Sequence, residues 1–404
     1  MLSALHNIKV VDLSRILAGP WASQMLADMG AQVIKVERPK QGDDTRFWGP
    51  PFIKKATEQQ PPQAAYFHCM NRNKESIAVD ITQQQGQQVI KDLIAQADVL
   101  IENHKVGGLA KYGLDYQSVK QLNPQLIYCS ITGFGQTGPS AHKAGYDAMI
   151  QGEAGLMSIT GEPDGEPMKV GVAVVDVMTG LYCCNAVLAA LMARQHTKQG
   201  QHIDIALFDV QVAALANQGM SYLATGNNPA RLGNGHPSIV PYQTFATQDG
   251  SLILAVGNDS QFVKFCQVAQ CAELAKDPRF VTNALRVENR GQLIPLLAGK
   301  LASNTTSWWI EQLESVAVPC GPVNTLEQVF NHPQIKAREI VRQVPTAQGE
   351  LVDTIASPIH LSDTPLQYHS ASPDLGQHSE QVLAKTLNYS EQQIARLFAS
   401  GAVS

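Results

Sequence analysis

Several things are missing from this 404-residue chain, and each absence excludes a class of protein. Charge of one sign is not in large excess: the formal net charge is -5 and charged residues make up 16%. A nucleic-acid partner is therefore not expected. No apolar run reaches the roughly 18 residues of a membrane span without a polar interruption. The first residues, MLSALHNIKV, lack the basic stretch and cleavage pattern of a signal peptide. The expectation is a cytoplasmic protein with no membrane partner. The seven cysteines are an odd number and form no C-x-x-C pair, which argues against a disulfide framework, structural zinc or any other metal site. Cys129 and Cys320 read as structural thiols. The loop after the first apolar stretch, DLSRILAGP, has no G-x-G-x-x-G, so a backbone-lined dinucleotide site is not encoded. Walker-A, H-E-x-x-H and G-x-S-x-G signatures are absent too.

What is present alternates. IKVVDL (8–13) reads as a buried strand, PWASQMLADMG (20–30) as a helix with Pro in its first turn and Gly at its end, and AQVIKVE (31–37) as the next strand. SIAVDI, the helical QQQGQQVIKDLIAQA, DVLIEN and PQLIYCSIT continue the pattern to Thr132. From 168 it resumes with a strand, Asp176, a helix to about Arg194, the strand HIDIALF and a helix from 209 to 224. Such alternation predicts an α/β fold with a large Rossmann-like parallel-sheet domain. TGNNPARLGNGHPS (225–238) is dense in turn formers, and YQTFATQDGSLILAVG beyond it reads as a hairpin about Asp249-Gly250. A smaller α+β domain is expected there. The boundaries are 1–224 for the large domain, 225–330 for the small domain with its linkers, and 331–404 for a C-terminal segment. A Pro-rich stretch from Thr45 to Gln63 is too long for an ordinary loop and reads as a lid, an interface element or a disordered segment.

Two features bear on chemistry. Arg15, Lys35, Arg38, Lys40, Arg46, Arg72, Lys74, Lys105 and Lys111 fall near predicted strand ends, where open α/β sheets gather ligands. With no glycine fingerprint, they suggest phosphates held by side chains. A solvated surface accounts for each of them singly. Asp176 is the second feature, at the junction of a strand-like run and a helical one in KVGVAVVDVMTGLYCCNAVLAAL. It suits a helix N-cap. It equally suits a carboxylate nucleophile, which a helix N-terminus favours in its ionised form.

IKVVDLSRILAGPWASQMLADMGAQVIKVERPKQGDDTR, NRNKESIAVDI, VLIENHKVGGLAKYGLDY, NPQLIYCSITGFGQTGP, AGYDAMIQGEAGLMSITG, GVAVVDVMTGLYCCNAVLAAL, GQHIDIALFDVQVA and VPCGPVNTLEQVF stand in this order along the chain. In these blocks it resembles the class III coenzyme A transferases, the formyl-CoA transferase and carnitine CoA-transferase group. The resemblance implies that Asp176 is the nucleophile, passing through a mixed anhydride and an aspartyl-CoA thioester. It implies that Arg38 lies beside the adenine and ribose phosphate of CoA, and that Asn103, His104 and Lys111 contact the coenzyme, His104 standing where Phe is commoner. Leu17, Arg72, Lys74 and Val79 join this expected CoA surface.

It further implies an interlocked homodimer whose large domain is completed by the segment after 331. No permanently bound cofactor is expected, only CoA and acyl-CoA as substrates with a small carboxylic acid as the other partner. RLGNGHPSIVPYQTF is similar to transferases acting on glutarate and succinate. Gly233, Gly235 and His236 are the expected acyl-side residues, with main-chain N–H groups near the glycines offered to an oxyanion. A structural turn is the other reading of that segment. The α-methylacyl-CoA racemases share the fold but carry AGHD where this chain has AGYD. Tyrosine as a residue type, with an unperturbed pKa of about 10, is a poor base near neutrality, so racemisation is the lesser alternative. A non-catalytic CoA-binding protein is the other. Tyr146 and Asp147 are expected to bond the substrate.

Overall fold

The computed structural model describes residues 3–54 and 60–404. The chain divides into two compact units. The first comprises Met1–Gly155, Val170–Met220 and Gln334–Ser404; the second comprises Leu156–Lys169 and Ser221–Pro333. Leu156–Lys169, expected in the large domain, groups with the second unit. There Gly161 O accepts the Gly233 N–H at 3.0 Å and Gly165 O accepts Arg231 Nη2 at 2.7 Å.

Six strands build the sheet of the first unit: β1 (Lys9–Asp12), β2 (Gln32–Glu37), β3 (Lys74–Ala78), β4 (Val99–Glu102), β5 (Ile127–Thr132) and β6 (His202–Ala206). Their order across the sheet is β3-β2-β1-β4-β5-β6 and every neighbouring pair is parallel. Strands buried on both faces read as near-continuous apolar runs, as KVVD, VLIE and IYCSIT do. Successive side chains then divide between two cores. Val11, Ile34, Ile77, Leu100 and Tyr128 point to one, where they meet α2 (Gln84–Ala95) and Val382, Leu383, Ile394 and Leu397 of the C-terminal segment. Val10, Val33, Val99, Ile101 and Cys129 point to the other, filled by α1 (Ala18–Asp28) and a long helix, Val174–Thr197. Between Ala154 and that helix's start no strand forms. The helix preceding it, α3, spans Asp147–Glu153, so the long helix is α4.

The C-terminal segment reaches the β3 edge of the sheet: Ser404 N–H donates to Ala78 O at 3.0 Å and His378 N–H to Ser76 O at 2.9 Å.

α4 is long and apolar enough to cross a membrane by length and composition. In the structure its buried face, including Val175, Cys183, Cys184, Val187 and Leu191, packs in the second core. Gly180 lets it approach α1 closely, since a Cβ there would stand 2.8 Å from Ala18 O. Its far end is tied by Arg194, whose Nη2 lies 2.7 Å from Asp98 Oδ1 at the start of β4. Asp98 Oδ2 in turn accepts the Lys9 N–H of β1 at 2.8 Å. The single helix expected from 209 to 224 is two, α5 (Leu207–Ala214) and α6 (Ala216–Thr225), because Ala216 adopts a φ of 47°.

In the second unit, β7 (Tyr242–Ala246) and β8 (Ser251–Ala255) form the hairpin about Asp249-Gly250, and β9 (Cys320–Pro322) adds antiparallel to β8. Phe262, Phe265, Leu297, Trp309 and Leu313, from three helices, close a separate core over it.

Candidate active site

Reversal of strand order between β1 and β4 opens a crevice at their carboxyl ends, which is where ligands of doubly wound sheets bind. Asn103, just past β4, bridges it. Its Oδ1 accepts the Arg15 N–H at 2.9 Å and its Nδ2 donates to Arg15 O at 2.7 Å. The Glu102 carboxylate accepts the His104 N–H at 2.7 Å. Burial of Glu102, with no cation beside it, pushes its pKa up to about 7. Burial and then the Arg15 charge push His104 down to about 4, so its ring is neutral at pH 7. Ile16, next to Leu17 at the start of α1, has a φ of 71°, a left-handed conformation that costs a β-branched residue about 1–3 kcal/mol. Its N–H donates to Asp43 Oδ1 at 3.3 Å.

The basic cluster divides in two. Arg38 and Arg15 reach the rim and share Asp44, at 2.6 and 2.8 Å. Lys111 is exposed, its ammonium 4.7 Å from the Tyr112 ring centre. Arg72 and Lys74, expected to hold phosphates, are buried instead. The Arg72 guanidinium is paired with Asp28 at 2.5 Å, and Lys74 Nζ donates to Asp12, Pro20 O and Asn71. Lys35 and Arg46 are likewise locked onto Asp43 and Glu37. These four charges stitch the sheet and its loops together, and their side chains are not offered to a ligand. Val79 and Leu17 are buried as well, Val79 bridging to Val403.

Asp176 lies in the first turn of α4, two residues past its first residue, so it is not the cap. The N-cap position is Ala173, which has no side-chain oxygen, and no strand precedes it. The cap comes from another element. Asp147 Oδ2 accepts the N–H of Val175 at 2.8 Å and of Asp176 at 3.3 Å, while Asp147 Oδ1 accepts Gln151 Nε2 at 2.6 Å. Gln151 Oε1 accepts the Val170 N–H at 2.8 Å. Asp147 thus spends both oxygens inside the protein and is not the substrate-bonding group expected of it. Tyr146 is 60% exposed. Gly133 and Gly145 let the loop after β5 and the approach to α3 cross, since a Cβ on Gly133 would lie 2.6 Å from Gly145 Cα.

Among the described residues no hydrogen bond or ion pair engages the Asp176 carboxylate. Burial, and then the charge of Asp147, push its pKa up to about 7. Tyr66 faces the same acids: burial, then the Asp176 charge, raise its phenol to about 12. Its ring meets Trp48 edge-on at 5.2 Å. Trp48 lies within the Pro-rich stretch and Tyr66 just past its end; part of that stretch, 55–59, lies outside the described residues. Sequence reasoning missed Gln151, although its i+4 spacing from Asp147 on one helix was a usable signal. Nothing local pointed to Tyr66 or Glu102.

In the second unit, Gly233 has a φ of 56° and its N–H donates to Gly161 O at 3.0 Å, while the Gly235 N–H donates to Leu232 O at 2.8 Å. Both amides are therefore taken and neither is an open oxyanion donor. His236 Nδ1 accepts the Ser238 N–H at 3.0 Å, and its ring packs on Tyr242.

A doubly wound parallel sheet with a bridged crevice at its switch point, and a buried unpaired carboxylate at a helix start, define an α/β protein with a Rossmann-like domain. Residues 5–379 match the model of CoA-transferase family III. The chain belongs to CoA-transferase family III and is an enzyme of that family. It is 51% identical to the succinate–glutarate CoA-transferase of Agrobacterium fabrum over 381 residues, 94% of this chain and 95% of that one. With the succinyl-CoA:glutarate CoA-transferase of Homo sapiens it shares 40% over 402 residues, 100% of this chain and 90% of the other. A crystal structure of a CAIB/BAIF family protein from Brucella suis superimposes with a TM-score of 0.85 at 51% identity, covering 95% of this chain and 100% of that one.

Proposed function

We propose that the enzyme exchanges CoA between dicarboxylic acids, with succinyl-CoA and glutarate as a substrate pair, and that Asp176 is its nucleophile. The observation that carries this is the state of the Asp176 carboxylate, buried at a helix start with no hydrogen bond or counter-ion among the described residues. A carboxylate so placed keeps its lone pairs for an electrophile. The named relatives support the substrate pair.

The chemistry balances without protons. An Asp176 oxygen attacks the thioester carbonyl, the C–S bond breaks, and CoA leaves as thiolate from a mixed anhydride. The thiolate then attacks the Asp176 carbonyl carbon; the C–O bond breaks and the first acid departs as carboxylate. Asp176 is left as its CoA thioester, and an incoming carboxylate runs the two steps in reverse. In this reading Asn103, His104, Arg15 and Arg38 hold CoA at the crevice, and Tyr66 and Trp48 limit water at the reacting carbon.

A second copy of the chain is the proposed partner. Leu181, Tyr182 and Met192 leave one side of α4 apolar and about half exposed, which suits an interface between identical chains.

The test mixes purified enzyme with succinyl-CoA and glutarate and follows glutaryl-CoA. Exchange that survives in Asp176→Ala, or intact-mass spectra that never show a hydroxylamine-sensitive CoA adduct, would end the nucleophile assignment.

A further inference from the structure

The Asp147 carboxylate touches the peptide that bears Asp176, and it reaches there from a different helix. Its Oδ2 takes the N–H groups of Val175 and Asp176, at 2.8 and 3.3 Å. Its Oδ1 is held at 2.6 Å by Gln151, one turn along α3, and Gln151 is itself wholly buried and anchored by the Val170 N–H at 2.8 Å. A helix start needs an oxygen to satisfy its free N–H groups, and a neutral Ser, Thr or Asn at the N-cap position supplies one. Here that position is Ala173, and a full negative charge is brought in from α3, next to the one carboxylate that reacts.

Resting on the nucleophile reading above, we infer that Asp147 is a positioning residue with a second task. It fixes the first turn of α4, and its charge makes the ionised Asp176 a high-energy ground state that acylation relieves.

The direction follows from the charges. In the first half-reaction Asp176 starts as an anion beside an anion and ends, by way of the neutral anhydride, as a neutral thioester, the negative charge leaving with the departing carboxylate; the second half-reaction reverses this and restores the anion. Repulsion is present before bond formation and absent after it, so it favours the covalent enzyme. Among the described residues Asp147 is the charge acting on Asp176, and the other titratable group facing the pair is the Tyr66 phenol on the short helix Ala65–His68, neutral at working pH. Repulsion also raises the proton affinity of Asp176, the direction found, with burial the larger cause. A more basic carboxylate is the better nucleophile once ionised, and one near neutrality is about half ionised at pH 7. Gln151 keeps Asp147 from turning away.

Asp147→Asn separates the two tasks, because the amide oxygen still accepts the two N–H groups while the charge is gone. The readout is the CoA adduct on the enzyme, by intact mass, as a function of pH and of the ratio of succinyl-CoA to succinate. In the variant the pH midpoint of adduct formation should fall by about one unit or more. The adduct equilibrium at pH 8 should fall about tenfold for each unit. A purely structural role would leave both unchanged; with the wild-type adduct present, that result overturns the inference and leaves the nucleophile reading standing. Absence of any adduct in the wild type would instead strike the nucleophile reading, and the inference with it. Should Asp147→Asn not fold, Gln151→Ala decides, because it frees the Asp147 carboxylate to turn away from Asp176: a midpoint below the wild-type one upholds the inference and an unchanged midpoint overturns it.

Discussion

Asn103 and Arg15 are joined by a pair of hydrogen bonds, 2.9 and 2.7 Å, between one side-chain amide and both main-chain groups of a residue 88 positions away. The pair fastens the loops after β1 and β4 to each other, so the crevice has a set width before any ligand arrives. In Asn103→Ala the Arg15 N–H and carbonyl lose these partners, at about 1–3 kcal/mol for each group left unsatisfied. KM for succinyl-CoA is expected to rise about tenfold or more, with kcat changed far less. Steady-state kinetics check this; an unchanged KM would mean the crevice is not where CoA docks.

Lys74 and Arg38 were alike as sequence, and the structure gives them opposite fates. Lys74→Met leaves Asp12 charged and buried without its partner, which should cost about 3–5 kcal/mol in chemical denaturation. Activity per folded molecule should stay near wild type. A rise in KM without loss of stability would restore Lys74 to the CoA surface.

Arg38 is half exposed and, among the described residues, its guanidinium is paired only with Asp44. Arg38→Ala should leave stability within experimental error and raise KM for CoA thioesters about 3–10-fold, the size of one charge-assisted contact. The difference should shrink in 0.5 M KCl, where exposed charges are screened. Equal effects at low and high salt would argue against a phosphate contact.

Asp176 holds its proton up to about 7 in the folded enzyme, against about 3.9 for a free side chain. Between pH 4 and 7 the folded state binds more protons than the unfolded one, so this group lowers stability as pH rises through that window. Asp176→Asn should therefore be inactive and more stable than wild type at pH 8, by about 1–3 kcal/mol, with no difference at pH 4. Thermal melts at the two pH values test it; a variant less stable at pH 8 would contradict the unpaired environment.

Much of the first unit was legible because parallel strands buried on both faces leave apolar runs that the eye finds, as in IKVVDL and IYCSIT. Strand order was not, since nothing in a strand's residues names its neighbour. The run before Asp176 misled for a related reason: GVAV has strand-like composition, but its fate is set by the Asp147 cap, which lies 29 residues upstream. Likewise a lysine in a strand looks the same whether it reaches solvent or, as at Lys74, meets an aspartate 62 positions away. Asp176 stood out by its place before an apolar helical run, the resemblance favoured nucleophile over cap, and its unpaired state appears only in the fold. Gly233 and Gly235 were correctly read as turn formers and wrongly as open donors, because their acceptors, Gly161 and Leu232, appear only when the turn is built.

The strut formed by α4 sets a rule about length. Its 24 residues make a rod about 36 Å long, and about 27 Å of it separates Asp176 from the Arg194 clamp on Asp98. Adding or removing one residue between those two points would turn the carboxylate about 100° around the helix axis and slide it about 1.5 Å. Between Asp176 and Arg194, with Gly180 kept, the stretch can change composition but not count.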